Sequence, residues 1–190
     1  MKQSSFIARA AQALAVAGCL GALSGQVVRA AQDANEAIDM GEQVPQAQAV
    51  KEGLFPEDEC KQLEAAGFKC MGFKPAVRYS LPASSFSVGS ADLPALLRRQ
   101  LDVFAEVLRG KRGSKQTVRI EGHADASGAK DANRMLSQRR AEAVRQYLVR
   151  NGADEAMLQA VGLGAEHPKL AGNPFAAENR RVEIGRATVP

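Results

Sequence analysis

The sequence lacks tryptophan, and aromatic residues make up only 5% of its 190 residues. We therefore expect a core built from aliphatic side chains. The sequence also lacks a basic stripe interleaved with aromatic residues, so we expect no nucleic-acid partner. The net charge of +4 does not change this expectation. Three of the 25 basic residues (Lys2, Arg9, Arg29) lie in the acid-free first 30 positions, which leaves 22 basic against 21 acidic residues.

Histidine is scarce, and neither His123 nor His167 has a Cys or Ser nucleophile at a recognisable spacing. We expect His123 to be a strand-end residue satisfied by hydrogen bonds, and His167 to be an exposed loop residue before Pro168. Two isolated histidines are too few for a metal site. Hydrolytic catalysis needs a zinc site, a paired acid catalyst or a Cys–His pair. The sequence shows none of these, so we predict no enzyme activity, no catalytic residue, no metal and no cofactor.

The most apolar segment, residues 10–25, is short for a membrane span, and Gln12 and Ser24 interrupt it. Lys2 and Arg9 precede or border it, and the small residues at 28–30 suit cleavage, so residues 1–30 are interpreted as a signal peptide. Two alternatives stay open. Residues 16–19 resemble a bacterial lipobox, which makes Cys19 a candidate for lipidation, or the segment remains as an uncleaved anchor. Each interpretation places the rest of the chain outside the cytoplasm.

Two further cysteines, Cys60 and Cys70, lie ten positions apart. In an oxidising compartment such a pair is expected to form a disulfide. Pro56 can open a short helix over residues 57–66 and Gly67 can end it, which returns the chain toward Cys60. Closing so short a loop contributes at most roughly 3 kcal/mol. The alternative is two free buried thiols.

We divide the mature chain into three parts. Residues 31–55 are polar, with sparse large apolar residues, and are predicted to be a flexible tether. Residues 56–75 form the cystine hairpin and residues 76–187 the folded domain. Strands are predicted at 77–81, 86–88, 117–121, 157–161 and 180–184, and helices at 92–110 and 129–151. This order predicts an α+β fold, with a βαβαββ-type mixed sheet and helices packed on one face.

One apolar stripe of the second predicted helix, with Leu136 and Val144, contains Arg140. A charged side chain on a core-facing stripe needs a partner. Asp125 follows the preceding strand and lies near the start of this helix, and Asn133 lies on the same side one turn before Leu136. A fixed carboxylate beside a fixed guanidinium can hold the ammonium and the carboxylate of a zwitterion. Judged from spacing alone, a structural salt bridge is the more frequent outcome.

The residues of this region, in their order along the chain, resemble the pattern of the OmpA C-terminal-like family. The resemblance runs from about residue 77 to residue 184 and leaves out the leader, tether and hairpin. The residues that carry it are Ile120-Glu121-Gly122-His123-Ala124-Asp125, Ser127-Gly128, Asn133, Leu136-Ser137, Arg140-Ala141, Val144, Tyr147-Leu148, Val161-Gly162-Leu163-Gly164, Pro168 and Asn179-Arg180-Arg181-Val182-Glu183-Ile184.

This resemblance implies non-covalent binding of peptidoglycan in the periplasm, through the diaminopimelate of the stem peptide. It assigns the ammonium to Asp125 and the carboxylate to Arg140, with Asn133 near the same pocket. It further implies a tether to the outer membrane or to an envelope protein complex in a Gram-negative-type envelope. The alternative is an assembly component of a secretion or motility complex that uses the domain for docking. Departures from the family pattern are Ala124 in place of Thr, Ser87 and Gly89 in place of acidic residues, and Phe175-Ala176 in place of Gly-Arg.

Overall fold

A computed structural model describes residues 37–72, 74–82, 86–87 and 89–187. The predicted signal segment, the lipobox with Cys19 and residues 31–36 lie outside these described residues. Among the helices that the structure does describe, none is both long and apolar enough to cross a membrane. Five strands and four α-helices occur in the order β1 (Ile38–Asp39), α1 (Ala47–Leu54), α2 (Glu57–Ala65), β2 (Tyr79–Pro82), α3 (Ala95–Arg109), β3 (Val118–His123), α4 (Lys130–Arg150), β4 (Leu158–Gly164) and β5 (Arg181–Arg186).

The strands form one mixed sheet in the order β1-β2-β5-β3-β4. Strand β5 lies in the centre and pairs antiparallel with both β2 and β3, while β3 and β4 are parallel. A parallel pair needs a crossover, and α4 provides it. The predicted α+β class, mixed sheet and helices on one face are therefore confirmed, with β1 and α1 added before the predicted hairpin helix α2.

The core lies between the sheet and its helices. The apolar residues of α3 recur every three or four positions and so form one stripe, which is fully buried. They are Leu97, Leu101, Phe104 and Leu108. On the sheet side, Ile120 and Ile184 are completely buried. The buried face of α4 differs from the prediction: Leu136 and Tyr147 are only half-buried, and the buried positions are Ser137, Arg140, Ala141, Val144 and Leu148.

Two glycines bring α4 close to the sheet. A Cβ atom added to Gly122 of β3 would collide with the backbone carbonyl of Ser137, and one added to Gly162 of β4 would collide with the backbone of Gln138. Glycine permits this close approach because it has no side chain. The side chains of α4 then bond β4 directly: the Gly162 amide donates to Gln138 Oε1 at 2.6 Å, and the Gly164 amide donates to Ser137 Oγ at 2.9 Å. These contacts set the position of α4, and with it the position of Arg140.

The segment predicted as a tether differs from the prediction after residue 36. Strand β1 pairs with β2, and Val50, Leu54 and Phe55 are completely buried in the core. Gln100 of α3 also donates to the backbone carbonyls of Gly41 and Gln43. Large apolar residues are indeed sparse here, but Val50 and Leu54 lie four positions apart and so share one side of α1, and Phe55 follows directly after the helix. Residues 37–55 therefore belong to the folded unit.

The cystine hairpin forms as predicted. Helix α2 ends at Ala65, and Gly67, with a positive φ of 85°, follows shortly after it. Cys60 and Cys70 form a disulfide with their Cα atoms 5.4 Å apart. Glu57 at the start of α2 accepts from Arg186 Nη1 at 2.8 Å. Because Arg186 ends β5, the hairpin packs at the end of the sheet opposite the C-terminal end of β3.

Two predicted strands need revision. The strand predicted at 157–161 is present but runs over Leu158–Gly164, after a single 3₁₀ turn at Glu155–Met157. The strand predicted at 86–88 is not seen at the two positions that the structure describes, Phe86 and Ser87. Phe86 instead buries its ring against α4, because it lies beneath the guanidinium of Arg140.

Candidate functional site

The loop after β3 places Asp125 at the C-terminal end of that strand. The Ala124 amide donates to the carbonyl of Gly164 at 2.8 Å, which fixes the loop to the end of β4. The Ser127 amide then donates to Asp125 Oδ1 at 2.9 Å, a turn in which the carboxylate orders its own loop. Asp125 is only 8% exposed. Its carboxylate is consequently held in one place by the backbone around it.

Asn133 braces the same loop from the first turn of α4. Its Nδ2 atom donates to the carbonyl of Asp125 at 3.0 Å and to the carbonyl of Ser127 at 2.7 Å. The amide nitrogen of Asn133 is therefore engaged with the backbone of the loop. Asn133 thus contacts the backbone of the Asp125 loop, and it is suited to hold this loop in position.

Arg140 lies under the turn that precedes α3. It is 3% exposed, and its Nε donates to the carbonyl of Ser90 at 3.0 Å and its Nη2 to the carbonyl of Ser87 at 3.4 Å. Its guanidinium carbon lies 4.8 Å from the centre of the Phe86 ring, a cation–π contact. Burial is the main influence that lowers the pKa of Arg140, the positive charge of Arg180 adds to it, and the charge of Asp125 opposes both. Arg140 remains a cation, since an arginine stays protonated in proteins.

Asp125 and Arg140 do not form a salt bridge with each other, although spacing alone makes such a pair the more frequent outcome. The partner of Asp125 is Arg180, whose Nη1 lies 2.6 Å from Asp125 Oδ2. Burial raises the pKa of Asp125, but hydrogen bonds from Arg180 and Ser127 outweigh this effect and hold the pKa below its ordinary value. Asp125 is thus ionised at neutral pH. The carboxylate and the buried guanidinium of Arg140 are near neighbours without sharing a hydrogen bond.

Arg180 was missed as a site residue. A signal for it exists in the sequence: Arg180 immediately precedes β5, and the first residue of that strand, Arg181, pairs with His123, the last residue of β3. An antiparallel register between these strands therefore brings Arg180 to the Asp125 loop. The side chain of Arg180 is 37% exposed, so this cation is far more accessible to solvent than Arg140.

The loop between β4 and β5 forms one wall of the site. The Ala126 amide donates to the carbonyl of Pro174 at 2.9 Å, which ties this loop to the Asp125 turn. Fully buried Asn179 fixes the loop internally: its Oδ1 accepts from the Leu170 amide at 2.8 Å, and its Nδ2 donates to the carbonyl of Asn173 at 2.9 Å. Phe175, one of the departures from the family pattern, is largely exposed at this wall.

The face of the sheet away from the helices carries a buried ionic layer. Glu121 bonds Arg78 and also Arg119, while Glu183 bonds Arg181 at 2.6 Å and Arg78 at 3.1 Å. Because each carboxylate already has guanidinium partners, this cluster is a charge-compensated network.

His123 lies inside this layer and corrects one prediction. Its two ring nitrogens have no hydrogen-bond partner among the described residues, and the nearest carboxylate oxygens of Glu121 and Glu183 are each 3.9 Å away. The expected hydrogen bonds are missing because arginines occupy both carboxylates. Burial, reinforced by the charge of Arg181, lowers the pKa of His123 to about 3, so this imidazole is neutral. His167 is exposed in its loop, as predicted.

The arrangement defines a class of protein: a small α+β module that presents a fixed carboxylate and two guanidinium groups at one end of its sheet. The sequence pattern of the OmpA family matches residues 85–181, just over half of the chain. The chain belongs to the OmpA family. Asp125, Asn133, Arg140 and Arg180 all lie within the matched region.

Known relatives agree with this assignment. The chain is 43% identical over 101 residues to a peptidoglycan-associated lipoprotein of Pseudomonas aeruginosa, and the match covers 52% of this chain and 58% of that protein. The corresponding protein of Pseudomonas putida is 41% identical over 101 residues, with 52% and 59% covered. The chain thus spans somewhat under 60% of these two relatives. The solved periplasmic domain of Helicobacter pylori MotB shares the fold, with a TM-score of 0.50, 20% identity, and 60% of this chain and 76% of that chain covered.

Proposed function

We propose that this protein binds peptidoglycan without cutting it, in the periplasm of a Gram-negative-type envelope. The domain would hold the cell wall and so link it to the outer membrane or to an envelope complex. Relatives that are named peptidoglycan-associated lipoproteins support the general assignment. The sequence pattern of the OmpA family over residues 85–181 supports the same assignment.

The finer part of the proposal concerns the ligand group, which we infer to be the amino acid centre of diaminopimelate. The observation that carries it is that Asp125 and Arg140 are both buried, oppositely charged and close enough for the charge of Asp125 to raise the pKa of Arg140, while their hydrogen bonds go to other groups. A zwitterion can bridge them, with its ammonium on Asp125 and its carboxylate on Arg140. Backbone groups hold both side chains in place, which lowers the entropic cost of binding.

Arg180 already bonds one oxygen of the proposed ammonium site. Its guanidinium donates a hydrogen bond to Asp125 Oδ2, so the ammonium of a ligand would bind next to Arg180. Each carboxylate oxygen has two lone pairs, so Asp125 can accept an ammonium beside its present donors. The side chain of Arg180, which is 37% exposed, can also swing outward when the ammonium of the ligand takes its place beside the buried carboxylate.

Calorimetric titration with diaminopimelate, with Nα-acetyl-lysine amide as the reference ligand, tests the proposal. The reference ligand keeps the side-chain ammonium but has no free carboxylate, so we expect the protein to bind diaminopimelate and to bind the reference ligand more weakly. Substitution of Asp125→Asn or Arg140→Lys should cost roughly 2–5 kcal/mol of binding free energy, because each leaves a buried group of the complex without its proper partner.

A pull-down with purified sacculi provides the second measurement. Asp131→Asn and Arg139→Lys are matched controls, because these exposed neighbours on α4 carry the same charges. We expect the controls to sediment with sacculi and the Asp125 and Arg140 variants to stay in solution. If both site variants are retained like the wild type, the assigned roles are wrong, and the alternative of an assembly component that docks through other surfaces gains support.

A further inference from the structure

A second cleft adjoins the Asp125 site and shares Arg180 with it. The cleft has a volume of about 170 Å³ and is lined mainly by polar residues, among them Asp39, Ser80, Lys169, Glu178, Arg180 and Arg181. Arg180 forms part of its wall and at the same time bonds Asp125. A ligand held at Asp125 therefore lies next to this cleft.

Strand β1 and the loop between β4 and β5 supply the distinctive part of the cleft. Lys169 Nζ, in that loop, lies 2.5 Å from Asp39 Oδ2 of β1. Asp39 is itself oriented by a hydrogen bond at 3.0 Å from the Gly41 amide to its Oδ1. A hydrogen bond from Lys169 lowers the pKa of Asp39, so the two form a charged pair. Asp39 lies upstream of the residues that match the family, whereas Lys169 and Arg180 lie within them, so the cleft joins the N-terminal segment to the family domain.

Both cations retain donors. In the described part of the chain, the Arg180 guanidinium bonds Asp125, and the Lys169 ammonium bonds Asp39. A guanidinium has five N–H groups and an ammonium has three, so each can serve a further acceptor. Arg181 differs, because Glu183 and the carbonyls of Asn179 and His167 already use its guanidinium.

The lining of the cleft carries the cations Lys169, Arg180 and Arg181 and the carboxylates of Asp39 and Glu178. Lys169 and Arg180, the two cations with free donors, line the same cleft. Carboxylates are among the acceptors that such donors bind most strongly. Phosphate would also fit the donors, but peptidoglycan stem peptides offer carboxylates.

We propose that Lys169 and Arg180 bind a second carboxylate of the peptide whose diaminopimelate occupies the Asp125 site. This inference rests on the proposed function. It extends the ligand from a single amino acid centre to a peptide, with the α-carboxylate of the glutamyl residue next to diaminopimelate as the group in the cleft. Arg180 then turns from Asp125 toward the peptide when the ammonium arrives.

Calorimetry with three probes tests this inference: free diaminopimelate, the tripeptide alanyl-γ-glutamyl-diaminopimelate, and the same tripeptide with its glutamyl α-carboxylate amidated. We expect the wild type to bind the free-acid tripeptide about three- to tenfold more tightly than the amidated one. Lys169→Gln should remove this preference and leave the affinity for free diaminopimelate unchanged. Because the Lys169–Asp39 pair is partly exposed, the variant should fold normally.

Lys61→Gln is the matched control, because Lys61 is an exposed lysine of α2 at the opposite end of the sheet. We expect this control to keep the preference for the free acid, and Lys169→Arg to restore part of it. The inference is overturned if the wild type binds both tripeptides equally, or if Lys169→Gln keeps the preference. A wild type that does not bind free diaminopimelate would instead overturn the proposed function itself.

Discussion

His123 makes the stability of this domain dependent on pH in a predictable direction. In the folded state its imidazole is 2% exposed, and its pKa is lowered to about 3. In the unfolded chain an imidazole has a pKa of about 6.5. Between these two values the unfolded state binds one proton more than the folded state, so the free energy of unfolding falls as the pH falls. Integration of this difference from pH 7 to pH 5 gives a loss of about 2 kcal/mol.

Urea unfolding at several pH values between 7 and 5 measures this loss, in a range where most carboxylates stay ionised. We expect His123→Gln to have a flatter profile than the wild type, because glutamine carries no titrating proton. His167→Gln is the control, since His167 is the other histidine of the chain and is exposed. The reasoning fails if the His123 variant keeps the full slope, or if the His167 variant loses it. A directly measured His123 pKa near 6.5 would also refute it.

Two further predictions concern the fold that supports the site. Gly122→Ala should lower the free energy of unfolding by about 1–3 kcal/mol, because the new methyl group would collide with the backbone of α4 at Ser137. Gly172→Ala is the control. No atom of the described residues lies near its new methyl group, so the substitution should have little effect in the same urea assay. Replacing both Cys60 and Cys70 by Ser should cost up to roughly 3 kcal/mol of stability. Retention on sacculi should nevertheless persist below the unfolding transition, because the hairpin lies at the far end of the sheet; loss of retention by the folded variant would contradict this.

Sequence patterns predicted the parts of the fold that depend on local periodicity. The stripe of α3 and the alternation of β3 each follow from spacing that any core would impose. The segment 37–55 was harder, because α1 has few apolar residues and its burial depends on a partner surface formed by α3 and β2. Low apolar content predicts disorder only where no neighbouring surface is available. Tertiary packing therefore determines that this segment is folded.

The site shows the same division between local and long-range information. The position of Arg140 on the buried face of α4 was predictable, since it follows from helical spacing and the costs of burying a charge. Its acceptors were not, because Ser87 and Ser90 lie 53 and 50 positions away in an irregular turn. For His123 the position was predicted correctly, at the end of β3, but the hydrogen bonds were not. They depend on which groups bond the neighbouring carboxylates, and that is decided by residues distant in the sequence.

The separation of Asp125 from Arg140 is itself an argument for a ligand. Two opposite charges that are buried as near neighbours would gain from direct contact, since the attraction between them strengthens in a low dielectric. Here each is held back by other partners: the Ser127 amide and Arg180 hold Asp125, and two backbone carbonyls hold Arg140. A pair that served stability alone would be expected to close. An arrangement that keeps both charges oriented and bonded to other groups is the one that the proposed binding of a zwitterion requires.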